Sequence, residues 1–144
     1  MEAYSLFRLF EEGLLAHKCE EEDILFPLFR KRARGRGIAD LDILTEEHQN
    51  AVEWLTCLKT GLYRLTSLAD PMEVVALLDN EARFKLFMNH HMIREERSFY
   101  PALEKLTSEE ERSFLCRLLT FSLDSLDRED GALSGQPLEE KDGR

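Results

Sequence analysis

The sequence contains few residues that interrupt helices, with seven glycines and four prolines among 144 residues. Most of them fall between long stretches rich in leucine, glutamate, arginine, alanine and lysine, which favour helix and lack the period-two alternation of strands. A fold built on β-sheets is therefore not expected. The length and the 43% hydrophobic content are sufficient for one domain with one sizeable core.

Paired cysteines, excess basic charge and long apolar runs are also missing. Cys19, Cys57 and Cys116 form no C-x-x-C pair, which argues against a disulfide framework or a cysteine-based zinc site. A formal net charge of −10 disfavours binding to nucleic acid or to an anionic membrane surface. No apolar run reaches transmembrane length, and the N-terminus does not resemble a signal peptide. We therefore expect a cytoplasmic protein whose partners include neither nucleic acid nor membrane.

Apolar residues recur every three or four positions along four segments, which predicts four helices. Asp70 followed by Pro71 is typical of a helix start, and Thr107-Ser-Glu-Glu110 is a capping box that opens the last helix. The predicted helices run over about 2–32, about 40–68, 71 to at least 102, and about 108–126. The fold class expected is an all-α, up-and-down four-helix bundle over residues 1–126, followed by a flexible acidic tail at 127–144.

A motif occurs twice, as HKCEEEDILFP (17–27) and HMIREERSFYP (91–101). The two segments match at the histidine, at a glutamate four residues later, at the next glutamate, at an aromatic residue and at a proline ten residues after the histidine. Histidine and glutamate four residues apart lie one turn apart on the same helix face, so both side chains point to the same place. This is the spacing of a metal chelate.

Three of the predicted apolar stripes are interrupted by these polar residues, since His48 also lies on the apolar side of its helix. Burying glutamates and histidines without compensation costs several kcal/mol per charge, and a multivalent metal ion offsets this cost. Imidazole and carboxylate are suitable ligands, and a carboxylate can bridge two cations. The predicted metal ligands are His17, Glu21, His48, His91 and Glu95.

The two motifs, with a lone histidine on the intervening helix, resemble the hemerythrin-like family of HHE cation-binding four-helix bundles over roughly residues 2–106. The resemblance implies a centre of two non-haem iron ions. It further implies that Glu21 and Glu95 bridge the irons and that His17, His48 and His91 are terminal ligands. Zinc or manganese, held as a single ion by some of these residues, is an alternative because these ligand types do not select iron by affinity alone.

The sequence departs from the family pattern in one respect. Family members usually have a further helix with another histidine ligand before the first motif, whereas only sixteen residues precede His17. The last predicted helix could fill the vacant groove, two chains could pair across it as a homodimer, or the site could be weakened. Glu20 and Glu47 are the nearest candidates for a substitute ligand.

The resemblance implies a protein that binds or senses oxygen, nitric oxide or iron, without turning over a substrate. One alternative is a di-iron enzyme or a protein that donates iron for iron–sulfur cluster repair. Another is a metal-free helical interaction module whose site has decayed. Among the remaining motif residues, Glu22 and Glu96 are expected outside the ligand set, and Pro27 and Pro101 are expected to end or kink their helices.

Overall fold

The computed structural model describes the backbone of residues 2–34, 41–65 and 70–129, and the side chains of 4–34, 41–65 and 70–119. Within these ranges all regular structure is helical and no strand occurs, which confirms the all-α prediction. The elements in chain order are α1 (Glu2–Glu20), a π turn π1 (Glu21–Leu25), α2 (Phe26–Ala33), α3 (Leu41–Arg64), α4 (Pro71–Arg94), a second π turn π2 (Glu95–Phe99), α5 (Tyr100–Leu106) and α6 (Glu109–Glu129).

The described backbone forms four long helices, because α1, π1 and α2 are continuous, and so are α4, π2 and α5. The first ends beside the basic segment where the sequence predicts its end, and Arg34 there adopts a left-handed conformation with φ of 48°. Asp70 caps α4 as predicted, since its carboxylate accepts a hydrogen bond from the backbone N–H of Met72 at 2.8 Å. The predicted end of the second helix, near residue 68, lies outside the described residues.

The chain divides into two compact units, Met1–Glu109 and Glu110–Arg144. Helix α6 lies almost entirely in the second unit and continues to Glu129, three residues beyond its predicted end. The rest of the predicted tail, residues 130–144, lies outside the described residues. All contacts discussed below lie within the first unit.

Each helix that carries a His-x-x-x-Glu pair widens into a π turn at the glutamate. In π1 the N–H of Phe26 donates to the carbonyl of Glu21, and in π2 the N–H of Tyr100 donates to the carbonyl of Glu95. Donor and acceptor are five residues apart, instead of the four of an α-helix, so one extra residue is accommodated in the turn. The internal repeat of the sequence is therefore also a repeat of backbone geometry.

The π turns explain how two prolines fit inside long helices. Pro27 and Pro101 lie in the first turn of α2 and α5, directly after π1 and π2. Proline has no N–H and its ring crowds the carbonyl four residues earlier, so it disrupts a regular α-helix but is tolerated where a new α segment begins. Neither proline ends its helix, in contrast to one of the two outcomes expected from the sequence.

Helix α3 contacts both α1 and α4, and α2 contacts α5. Residues from α3 and α4 form a buried apolar cluster, namely Ala51, Leu55, Leu58 and Phe84. A second, aromatic cluster joins the two repeats: the ring of Phe99 lies 5.0 Å from that of Phe26 and 5.7 Å from that of Phe29. These two clusters hold the motif-bearing helices on either side of α3.

The aromatic cluster is expected to depend on Phe99, which is 0% exposed. Phe99→Ala should lower the free energy of unfolding of the metal-free protein by about 3–5 kcal/mol, because truncation of a buried aromatic side chain leaves a cavity. Urea denaturation followed by circular dichroism measures this. The control, Leu6→Ala, removes a side chain that is 62% exposed and should change stability by less than about 0.5 kcal/mol. Equal effects of the two substitutions would contradict the packing described.

Candidate metal centre

The structure brings together all five residues that the sequence predicts as metal ligands. His17 lies in the last turn of α1, His91 in the last turn of α4, and His48 in α3, while Glu21 and Glu95 are the first residues of the two π turns. One donor atom from each of the five lies within 4.8 Å of the others. Three helices therefore contribute to a single cluster of donor atoms.

The donor atoms approach each other closely in the interior. The Nε2 atom of His48 lies 3.2 Å from Oε2 of Glu21 and 3.7 Å from Oε1 of Glu95. The Nε2 atom of His17 lies 3.9 Å and 3.7 Å from the same two oxygens. Glu21, His48, His91 and Glu95 are 1–3% exposed, whereas the side chain of His17 is 38% exposed. The cluster is closed on most sides and reaches solvent beside His17.

Four of these atoms have no hydrogen-bond partner although they are buried: Oε2 of Glu21, Nε2 of His48, Nε2 of His91 and Oε1 of Glu95. The last two approach to 2.7 Å without the alignment of a hydrogen bond. A buried polar atom without a partner costs about 1–3 kcal/mol. Four such atoms directed at one place fit a metal cation, which would satisfy all of them at once.

Carboxylates outside the cluster orient two of the imidazoles. Glu22 contacts Nδ1 of His48 at 2.9 Å, and its other oxygen accepts a hydrogen bond from Nζ of Lys18 at 2.7 Å. In the neutral imidazole that metal binding requires, we assign the proton of His48 to Nδ1, because an ionised carboxylate only accepts hydrogen bonds. The Nε2 lone pair then faces the cluster, which is the usual arrangement of a metal-binding histidine.

Glu47 has the same role for His91. Its Oε2 atom lies 3.0 Å from Nδ1 of His91, and its Oε1 atom accepts a hydrogen bond from Nε of Arg94 at 3.1 Å. Glu47 therefore lies on the outer side of the imidazole and does not supply the substitute ligand considered from the sequence. Glu20 does not join the donor cluster either, although its Oε1 atom is buried without a hydrogen-bond partner.

Tyr100 is the residue whose role the sequence did not reveal. Its hydroxyl donates a hydrogen bond of 2.6 Å to Oε1 of Glu21, so Oε2 is the oxygen of that carboxylate left without a partner. Burial and the charge of Glu21 raise the pKa of Tyr100 far above its usual value, so the phenol keeps its proton. In the repeat Tyr100 aligns with Phe26, which stacks on the ring of His48 at 5.8 Å. The aromatic position was recognisable from the repeat, but the partner of its hydroxyl was not.

Even without a metal, the histidines and glutamates of the cluster shift each other's pKa toward the ionised forms. Burial lowers the pKa of His48, but Glu21, Glu95 and Glu22 outweigh this effect and raise it to about 9. The neighbouring carboxylates also raise the pKa of His91. Burial raises the pKa of Glu95, but the three histidines outweigh it and hold that pKa well below its usual value. Protons on the imidazoles therefore occupy the place that a metal ion would take, and metal binding is expected to release them.

A cavity of about 510 Å³ opens beside the less buried side of the cluster, between α1 and α4. Its lining is mainly apolar, with Phe10, Leu14 and Met88 among its residues, and it reaches His17, His91, Glu95 and Tyr100. Gly13 lies one turn before His17, and a Cβ atom at this position would meet nothing within 4 Å. A small molecule therefore has both space and a path to the donor atoms.

Comparison with known families matches residues 1–80 to the hemerythrin HHE cation-binding domain. The chain belongs to this family. The matched segment contains His17, Glu21 and His48 but stops before the second motif, so the assignment of His91 and Glu95 rests on the internal repeat and on the geometry above. No curated protein and no solved structure gives a significant match. None of the described helices is both long and apolar enough to cross a membrane.

Glu22 and Glu96 occupy equivalent positions in the two repeats, yet only Glu22 contacts an imidazole of the cluster, while Glu96 is exposed. We expect Glu22→Ala to weaken metal binding by about 10–100-fold, because carboxylates that orient a metal-binding histidine contribute this much to affinity. Glu96→Ala is the matched control and should leave the affinity unchanged. Competition titration with a chromophoric chelator measures both. Similar losses in both variants would argue against the orienting role of Glu22.

Proposed function

We propose that the protein binds non-haem iron through His17, Glu21, His48, His91 and Glu95, and that the iron binds or senses a small diatomic molecule such as oxygen or nitric oxide. The observation that supports this most is the set of buried, unpartnered donor atoms that converge in the cluster. Membership of a cation-binding family agrees with it. Mixed imidazole and carboxylate ligands suit iron, among other divalent metals.

The surroundings of the cluster fit a bound metal better than a decayed site. A helical module that had lost its metal would gain stability by replacing buried glutamates and histidines with apolar residues. Here the four buried donor residues remain, and two of them still have orienting carboxylates, Glu22 and Glu47. A metal-free interaction module is therefore the less favoured function.

A small ligand is supported by the cavity beside His17. When bound, iron would supply a redox-active cation with a coordination position that the protein does not fill. The apolar lining favours a small uncharged molecule over a charged substrate. Tyr100 fixes one oxygen of Glu21 and keeps its proton, so it holds the carboxylate in place on the side where the cavity meets the cluster. The described residues show no set of groups that would act on a larger substrate, so binding is favoured over catalysis.

The proposal predicts that the purified protein contains iron. The protein is to be produced with iron supplementation and purified without a chelator or a metal-binding tag. Glu95→Ala and His48→Ala each remove a buried donor from the cluster, and we expect iron content to fall to less than a tenth of the original. Elemental analysis measures iron per chain, and circular dichroism checks that the variants are folded. Folded wild-type protein without iron would overturn the proposal.

The ligand-binding half predicts a difference between two substitutions of Gly13. Gly13→Phe places a large side chain in the cavity beside His17 and should slow the binding of nitric oxide by at least tenfold without changing iron content. Gly13→Ala adds only a Cβ atom to open space, so it should bind nitric oxide as the wild type does. Stopped-flow absorbance of the iron-loaded proteins gives the rates. If nitric oxide leaves the wild-type spectrum unchanged, or if both variants bind it at the same rate, the cavity is not the route of a ligand.

A further inference from the structure

We propose that the five donor residues hold one metal ion and not two. The inference rests on the metal-binding function proposed above, and it differs from the two irons implied by the resemblance to the hemerythrin-like family. Three independent features of the cluster support it: the distances between the donor atoms, the number of donor atoms left free, and the charge that surrounds them.

The distances match the coordination sphere of one ion. Metal bonds of about 2.0–2.2 Å place neighbouring donors of an octahedral ion about 3 Å apart and opposite donors about 4.0–4.4 Å apart. In the cluster His48 lies 3.2 Å from Glu21, the contacts of His17 lie at 3.7–3.9 Å, and no pair of the five donors exceeds 4.8 Å. In a two-metal site the ions lie about 3.5–4 Å apart. Ligand atoms on the outer sides of the two ions would then lie about 7–8 Å from each other.

The free donor atoms are too few for two ions. A carboxylate that bridges two ions with its two oxygens needs both of them, but Oε1 of Glu21 already accepts the hydrogen bond of Tyr100, so a bridge through Glu21 would have to share that oxygen. Likewise, Nδ1 of His48 and of His91 is held by an outer carboxylate. One inward atom from each of the five residues fills five of the six positions of one octahedral ion. Even if Glu95 bridged two ions with both of its oxygens, six donor atoms would fill only half of the twelve positions of two octahedral ions.

The charge balance also favours one ion. The cluster contains two carboxylates, from Glu21 and Glu95, which neutralise one divalent cation. The two carboxylates that contact its imidazoles from outside add no net negative charge, since Glu22 forms an ion pair with Lys18 and Glu47 forms one with Arg94. A second divalent ion would therefore bring uncompensated positive charge into a site whose protein ligands are mostly buried, which is unfavourable. The sixth position of the single ion would lie toward the cavity beside His17.

The test measures how many ferrous ions the full chain binds. Metal-free wild-type protein is dialysed anaerobically against increasing ferrous iron, and bound iron per chain is determined by elemental analysis. We expect saturation at one iron per chain. Saturation at two would overturn the single-ion inference while leaving the proposed iron-binding function intact. No bound iron would overturn both.

Electron paramagnetic resonance distinguishes one ion from two without a count of iron per chain. After oxidation of the loaded protein, one isolated high-spin ferric ion gives an electron paramagnetic resonance signal, whereas an oxo-bridged ferric pair is antiferromagnetically coupled and gives none. We expect the signal to account for nearly all of the bound iron. Bound iron without a corresponding signal would overturn the inference.

His17→Ala tests the inference from within the site, and it is the substitution among the five that disturbs the interior least, because His17 is the least buried of them. In a one-ion site the variant should still saturate at one iron per chain, with the half-saturating concentration raised at least tenfold. In a two-ion site it would change the number bound from two to one, because one ion would lose its terminal imidazole. Glu96→Ala, on the exposed face of the same cavity, is the control and should match the wild type.

Discussion

The burial of four ionisable side chains where three helices meet is the constraint on which the other features of the site depend. Glu21, His48, His91 and Glu95 are nearly inaccessible to solvent, and each directs an unpartnered atom to one place. Because polar atoms lose their hydration on burial, such an arrangement requires compensation from within the protein or from a bound ion. Orienting carboxylates and a tyrosine hydroxyl provide part of that compensation, and a cation shared by the free atoms would provide the rest.

The backbone supports the cluster through two π turns that begin at its two glutamates. The wider turns accommodate Pro27 and Pro101, so each helix carries its motif beyond the site and on into the aromatic cluster around Phe99. The same local device occurs twice because the same sequence motif occurs twice. Chelate spacing, π turn and proline are therefore best understood as one unit of structure.

The two copies of the motif nevertheless have different surroundings. Tyr100 hydrogen bonds to Glu21, while the equivalent Phe26 has no hydroxyl and stacks on His48 instead. Glu22 orients His48, while its equivalent, Glu96, is exposed. The outer nitrogen of His48 is thus enclosed by a polar contact, whereas the cluster opens beside His17 to a mainly apolar cavity that Tyr100 also lines. A metal ion bound in the cluster would be accessible from the cavity.

Much of this could be predicted from the sequence, because helix periodicity fixes the direction of each side chain around its own helix. The helical fold, the start of α4 at Asp70 and the five converging residues all follow from spacing of three or four positions. Spacing does not fix which atoms meet between helices. The hydroxyl of Tyr100 reaches a carboxylate 79 residues away, and Glu47 turns from the cluster toward His91 and Arg94. The sequence by itself determined on which side of its helix each of the five residues lies. Only tertiary packing decided how deeply each is buried and which of its atoms stay free, because that depends on contacts between side chains far apart in the chain.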